Sequence, residues 1–372
     1  MVFLGIESPN EEALLATKKK QNTAKNEDSE SYLLRAVRKI QEKGMEVTGG
    51  FIIGLDGDTE FDSHIRFIQE AGIPMAMAGL LTALKGTNLY HRLEREGRLL
   101  HESTGNNTDI ALNFVPQLPR DQLVAEYRRV VSTLYDPTLK NYFERCLTML
   151  NHLKFKDHGV RRIGKREVMA CVKSIQRQLF SKQGPAYFRF LAKVLKEYPK
   201  LFPKAIELAI HGYHFEKVTS NTIATHDFKQ YLKKEFNTFK ETVSGFAKAQ
   251  SGRIGEIEVQ VQEVLARARA AYEDIDEDFR YSVHDALDDF QKTVFKQYLE
   301  AEFDAFKETV SQFAKAQGEH IVEVGIYIQS LLLRAQAAYE STDKEFRHSL
   351  QDAFQEFQRL VECHKSGFLT EN

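Results

Sequence analysis

Three short segments combine residue types that can hold a nucleotide-like ligand. Gly5-Ile6-Glu7-Ser8 closes an apolar run. A carboxylate and a hydroxyl at a strand end can hydrogen-bond a ribose diol or the amino group of an amino acid. In Gly49-Gly50-Phe51-Ile52-Ile53-Gly54-Leu55 the glycines remove side chains, so a flat aromatic base can lie on backbone and on Ile52. The adjoining Asp56-Gly57-Asp58-Thr59-Glu60 reads as a turn and a helix start, with Asp58 or Thr59 as the capping residue. In Thr82-Ala83-Leu84-Lys85-Gly86-Thr87-Asn88-Leu89-Tyr90, Gly86 permits a tight turn and Thr87 can cap the helix that follows. One of Lys18, Lys19 or Lys20 can approach a ligand carboxylate, although three adjacent lysines are more simply a solvated run. Taken singly, each segment is more simply an ordinary turn or strand end. Their order and spacing carry the reading.

Metal and redox chemistry has less to stand on. Cys146, Cys171 and Cys363 lie far apart, with neither metal-ligand spacing nor a disulfide framework. Cys146 and Cys171 fall on expected helices and read as small core residues. His211, His214 and the other histidines show no paired ligand spacing. Scattered thiols of this kind fit a reducing cytoplasm.

Lys and Arg number 51 against 53 Asp and Glu, for a net charge of −2. That balance gives no bulk attraction to nucleic acid or to an anionic membrane. The longest apolar stretch, Ile73 to Leu84, runs for only about 12 residues, too few to span a bilayer. The opening residues have neither the basic region nor the long apolar run of a secretory signal.

Strands and helices alternate at first. Strands are expected at 2–6, 47–55 and 75–84, and helices at 29–43, 60–71 and 88–96. Leu33, Leu34, Val37 and Ile40 share one face of the first long helix, and Gly44 ends it. Such alternation implies a parallel sheet. A fully apolar strand beginning at Val2 needs neighbours on both sides, so further strands are expected to be supplied by sequence not present here. After Pro116 and Pro119 the pattern becomes helical, at 120–134, 138–152, 165–183, 185–197 and 201–214.

The last region is a duplication. Lys229–Gln291 aligns with Lys296–Gln358 at a constant offset of 67, with 35 of 63 positions identical and no gaps. Each copy repeats an apolar face: Phe236, Phe239, Val243 and Phe246, then Phe303, Phe306, Val310 and Phe313. No proline follows Pro203, so Asp276 to Gln317 is expected as one helix of about 42 residues. Long antiparallel helices in a bundle are the natural packing. The expected domains are 1–118, 119–222 and 223–372, the last holding the copies 229–291 and 296–358.

The three ligand-type segments together resemble the last strands of a radical S-adenosylmethionine (SAM) barrel. Gly50, Ile52 and Gly54 match that superfamily's Gly-x-Ile-x-Gly strand, and Gly86-Thr87-Asn88-Leu89-Tyr90 resembles its Pro-Gly-Thr-Pro-Leu-Tyr turn, with both prolines replaced. FLGIESPNEEALLATKKKQNT, GFIIGLDGDT, QEAGIPMAMAGLLTALKGTNLY and NFVPQLPRDQL are similar to the cobalamin-binding radical SAM proteins with a C-terminal helical domain, the group that hopanoid C-2 methylases resemble. The resemblance covers about residues 2–150 and continues weakly near 205–218.

The resemblance implies an α/β region followed by all-α regions: a partial, half radical SAM TIM-like barrel, a helical domain and a duplicated long-helix bundle. It implies SAM, a [4Fe-4S] cluster and cobalamin as cofactors, with cleavage of SAM to a 5′-deoxyadenosyl radical and methyl transfer as one outcome. Glu7 and Ser8 would face the ribose or amino group of SAM, Gly50, Ile52 and Gly54 would line the adenine, and Lys19 or a flanking lysine would approach the carboxylate. The family's Cys-x-x-x-Cys-x-x-Cys is absent from the sequence, as is the Asp-x-His-x-x-Gly motif that supplies the lower ligand of cobalamin.

Three functions remain open on the sequence. The chain is the C-terminal part of such an enzyme, either completed by a separately encoded N-terminal half or a degraded gene product, and inactive alone. Or it is a helical interaction module that self-associates through its repeated tail and carries a relic half barrel. Or its α/β part binds SAM or another nucleotide without redox purpose, and then weakly.

Overall fold

The computed structural model describes residues 1–16, 22–23, 29–103, 105, 110–153, 169, 172–173, 175–178, 181–248, 254–315, 321–342 and 344–371. The chain divides into two compact units, Met1–Ile223 and Ala224–Asn372.

The first unit begins β1 (Val2–Glu7), α1 (Glu11–Ala16), α2 (Ser29–Glu42), β2 (Val47–Ile53), α3 (Phe61–Ala71), β3 (Ala76–Leu80) and α4 (Asn88–Arg95). The expected alternation is present, and the three strands form a parallel sheet in the order β1-β2-β3. Helices follow: α5 (Arg120–Leu134), α6 (Lys140–His152) and α7 (Gly184–Glu197). The expected helix at 165–183 lies largely outside the described residues.

Alternation along the strands gives the sheet two unlike faces. Val47, Phe51, Ile53, Ala76 and Leu80 are buried in one core with Val37 of α2 and Phe67 and Ile68 of α3. Each such side chain contributes about 1.5–3 kcal/mol when fully buried. The other face carries Phe3, Gly5, Gly50, Ile52, Met77 and Gly79, and there Phe3 is 58% and Met77 59% exposed.

Both edges of the sheet are met by side chains. On the β3 side, the Tyr135 hydroxyl of α5 accepts from Ala76 N and donates to Ala76 O, each at 2.9 Å. The Tyr127 hydroxyl lies 3.5 Å from Ala78 O. On the β1 side, Asn22 Nδ2 donates to Gly5 O at 3.1 Å and to Ile6 O at 3.0 Å. Edge groups left bare would invite a further strand.

Beneath β3 a buried arginine ties the helices together. Arg145 of α6 is 1% exposed. It donates to the carbonyls of Ile73, Pro74 and Leu134 and to Gln69 Oε1. Its guanidinium carbon lies 4.8 Å from the Tyr135 ring centre and 5.0 Å from that of Tyr142. Carbonyls and ring faces take the place of a carboxylate partner.

Several element boundaries differ from the sequence reading. β3 stops at Leu80 because the chain leaves the ladder: Ala83 N donates to Asn113 Oδ1 and Asn113 Nδ2 returns to Ala83 O. Helix α8 (Phe202–Lys248) runs for 47 residues where the sequence suggested an end near 214. Nothing after Pro203 breaks it. Gly212 sits within it where a Cβ would come 2.5 Å from the Tyr142 ring, so this glycine serves helix approach and not termination.

The second unit continues with α9 (Ile254–Glu273), α10 (Glu277–Arg280), α11 (His284–Lys315), α12 (Ile321–Ser341) and α13 (Lys344–Glu371). The single helix expected over 276–317 is broken at 281–283. Ser282 Oγ donates to Phe279 O at 2.7 Å, and the Arg280 guanidinium turns back to Ile275 O and Glu273 O. The Ser282 side chain thus takes a carbonyl that helix continuation would use.

The duplication is visible in the packing. Phe239 and Phe306, Leu232 and Leu299, Val261 and Ile328, and Ala268 and Ala335 are buried at equivalent positions. Arg267 donates to Glu235 as Arg334 donates to Glu302. Arg347 repeats the turn-back of Arg280, onto Thr342 O and Glu340 O. The side chains of Phe246 and Phe313 lie outside the described residues.

Candidate functional site

The C-terminal ends of three parallel strands meet at one end of the sheet, where open α/β sheets place their ligands. The register pairs Gly5 with Gly50 and Gly50 with Met77, then Ile52 with Gly79. Gly5, Gly50 and Gly79 thus form a shallow strip on the uncovered face, flanked by Ile52 and Met77. The Phe3 ring lies beside it: a Cβ on Gly50 would stand 3.0 Å from the ring tip. Such a strip exposes peptide planes and apolar carbon, which suits the face of an aromatic base.

Gly54 sits elsewhere. It has φ +95°, and a Cβ there would stand 2.9 Å from Leu123 of α5. Its lack of a side chain serves the turn after β2 and close packing of α5. Next to it, Asp56 accepts from Arg92 Nη2 at 2.6 Å, and Arg98 Nη2 lies 3.7 Å from its other oxygen.

At the β1 tip, Glu7 is half-buried and has φ +66°. Ser8 is fully buried. Its Oγ accepts from Asn10 N at 3.0 Å and lies 3.5 Å from His64 Nε2. His64 and Asp58 are also buried, and His64 Nε2 donates to Asp58 Oδ2 at 2.8 Å. The expected cap role of Asp58 or Thr59 is not the one observed. Glu60 is the N-cap of α3 without a side-chain bond, because Asp58 turns inward to His64. Thr87 does cap α4, accepting from Tyr90 N.

Ser8, His64 and Asp58 do not form a nucleophile relay. In a relay the carboxylate and the hydroxyl use different ring nitrogens. Here both contacts fall on Nε2, and Ser8 is closed to any substrate.

The structure brings Glu7, Gly50 and Ile52 to one end of the sheet, with Gly50 and Ile52 on the uncovered face; Ser8 is instead buried on the covered side against His64, and Gly54 packs under Leu123. Lys18, Lys19 and Lys20 lie outside the described residues. His64, Asn22 and Asn113 were not singled out from sequence. Asn113 stands within the NFVPQLP segment, which offered a signal; a lone histidine on the first turn of a helix offered none. A cavity of about 480 Å³ opens elsewhere, between the start of α3 and α5, lined by Thr59, Asp62, Arg66, Gln122 and Arg129. None of the sequence-derived site residues lines it.

Thiol and metal chemistry find little here. Cys146 is buried and Cys363 is exposed. Burial pushes the Cys146 thiol up to about 12, away from the reactive thiolate. Cys171 lies outside the described residues. Among the described residues no group of three His, Cys, Asp or Glu side chains could hold a metal ion. Among them, too, no helix is long and apolar enough to cross a membrane.

Comparison with known proteins points to methylases. Residues 87–227 match a family described as a domain of unknown function, DUF4070. A protein of Synechocystis sp. named as an uncharacterized methyltransferase is 37% identical over 223 residues, which are 58% of this chain and 40% of that protein. The hopanoid C-2 methylase of Rhodopseudomonas palustris is 38% identical over 145 residues, 38% of this chain and 25% of the relative. The chain is thus related to proteins named as methyltransferase and methylase, and it spans less than half the length of each. No solved structure matches it.

Proposed function

We propose that the first unit is the adenosine-side wall of a radical SAM barrel, the C-terminal part of a SAM-, iron–sulfur- and cobalamin-dependent methylase. The observation that carries this reading is the uncovered sheet face, where Gly5, Gly50 and Gly79 lie beside Ile52 at the ligand end of parallel strands. The similarity to named methylases supports the reaction class. The residues fit the adenosine part of SAM: the glycine strip would take the base, and Glu7 at the β1 tip would take the ribose hydroxyls or the ammonium group. When bound, SAM supplies the methyl group or the radical of the family's chemistry. The described residues do not fit the cluster, since they offer no group of three ligands for it, and the sequence lacks the Asp-x-His-x-x-Gly motif that supplies the lower ligand of cobalamin. In this reading those ligands come from sequence outside this chain, in the cytoplasm, and the chain alone is inactive.

The test is saturation-transfer NMR with SAM on the full chain. Weak transfer from protein to the adenine protons is expected, and Gly50→Val should abolish it. The substitution is compatible with the fold because its Cβ crowds only the movable tip of the exposed Phe3 ring, at 3.0 Å, and meets the Leu4 carbonyl at an ordinary 3.9 Å. Transfer that survives Gly50→Val would remove the glycine strip from the account. For the completing half, the DNA directly upstream should encode a Cys-x-x-x-Cys-x-x-Cys in some frame.

A second reading concerns the tail. The second unit has its own core, separate from that of the first. That independence supports a role in self-association or partner binding. Sedimentation of the full chain and of a chain ending at residue 223 should differ in oligomeric state; identical states would count against it.

A further inference from the structure

The exit of β1 carries features that a plain strand end does not need. Glu7 adopts a left-handed φ of +66°, a conformation that favours glycine. Ser8 N donates to Ile6 O at 2.9 Å across it, closing a three-residue turn. The register with β2 slips between Gly5 and Glu7. Directly beneath, Asp58 Oδ1 and His64 Nδ1 are buried without a hydrogen-bond partner. An unpaired buried polar atom opposes folding, and so does a non-glycine residue held in this conformation. Both occur at the same strand tip. A leucine could fill the space beside the Phe51 ring, whose centre lies 6.3 Å from that of His64. Packing alone therefore does not account for the histidine.

We propose that Asp58 and His64 are positioning residues, which act through Ser8 to hold Glu7 in its left-handed turn at the ligand end of the sheet. The proposal rests on the reading of that end as an adenosyl-binding wall, and adds what keeps the carboxylate in place. Asp58 fixes the ring through Nε2. The Asn10 amide donates to Ser8 Oγ, and the ring, its Nε2 proton given to Asp58, packs against that oxygen at 3.5 Å. Ser8 N closes the turn onto Ile6 O, while Asn22 grips the carbonyls of Gly5 and Ile6 from the opposite side. Glu7 is thereby fixed from both directions.

Hydrogen exchange of the peptide spanning residues 5–10, in the full chain, reads this directly. His64→Leu should speed its exchange on the order of tenfold. In a Glu7→Gly background the same substitution should speed it less than about threefold, because glycine adopts the turn unaided. His64→Gln, which keeps an N–H for Asp58, should stay within about threefold of the parent. Asp58→Asn serves as the milder variant should His64→Leu fail to fold, with the same dependence on the residue at 7. Equal effects in both backgrounds, or no effect in either, would overturn the proposal: His64 would then be filler. The coupling needs no ligand, so it separates from the adenosyl reading. Coupling without saturation transfer from the parent chain keeps the clamp and removes the adenosyl wall. Transfer of equal strength in the parent and His64→Leu removes the positioning role and keeps the wall.

Discussion

Buried polar side chains are used differently in the two units. In Met1–Ile223 three of the buried arrangements hold irregular chain and have no repeated counterpart: Arg145 among carbonyls and rings, Asn113 clasping Ala83, and Asp58 with His64 under Ser8. Two of the three sit at the ligand end of the sheet. In Ala224–Asn372 one ion pair recurs in both copies, buried at Glu302 with Arg334 and more exposed at Glu235 with Arg267, each joining two helices of a copy. Irregular polar groups fix loops in unique positions, as a binding site requires. Repeated ones fix helix register, as a packing module requires. On the proposed reading, the difference separates a site-bearing part of the chain from a scaffold.

The largest effect that would break this contrast is at Arg145. Arg145→Met should cost about 3–5 kcal/mol, because the carbonyls of Ile73, Pro74 and Leu134 lose their donors inside the core. Denaturant unfolding followed by hydrogen exchange should show the loss in the first unit and none in the second. Loss in both would mean that the units do not fold separately.

The repeat offers an internal control. Glu302 is fully buried against Arg334, whereas Arg267, the partner of Glu235, is 46% exposed. Glu302→Gln should cost about 2 kcal/mol and Glu235→Gln less than about 1 kcal/mol, although the pairs are identical in sequence. Equal costs would show that burial does not set the value of the pair. Tyr298, whose hydroxyl donates to Glu302 at 3.0 Å, has its ionisation pushed far up by burial and by that carboxylate.

A smaller effect concerns alkali. Burial raises the Cys146 thiol from 9.0 to about 12. The thiol is an acid that stays protonated in the folded chain. The unfolded chain releases that proton at lower pH, so stability is complete below about pH 9 and falls as pH rises towards 12. By pH 10 the first unit should lose on the order of 1 kcal/mol from this group. Thermal unfolding across pH should show the slope, and Cys146→Ala should reduce it. An unchanged slope would place the alkaline loss on the buried tyrosines of the same unit, Tyr127, Tyr135 and Tyr142, whose ionisation burial also pushes up.

Much of the framework was legible in the sequence. Glycine and capping signals located the helix at Thr87, and apolar periodicity located all three strands. The offset of 67 aligns Glu235 with Glu302 and Arg267 with Arg334, but only the structure shows them paired. What was not legible depended on distant side chains. Nothing local marks Asp58 as the partner of a histidine six residues on instead of a cap. The turn at 281–283 rests on Ser282 taking the Phe279 carbonyl that periodicity assigns to a helix. The glycines of GFIIG look alike in sequence, yet Gly50 lies on the uncovered face and Gly54 lies under Leu123, a residue about 70 positions away.

The most direct test of the adenosyl wall is protein-observed NMR of the full chain with an Ile δ-methyl label and amide detection, titrated with SAM. The account predicts shifts confined to Ile52 and to the amides of Gly5, Glu7, Gly50 and Gly79, with the second unit silent. Shifts that map instead to the cavity between α3 and α5, or no shift at millimolar SAM, would contradict it.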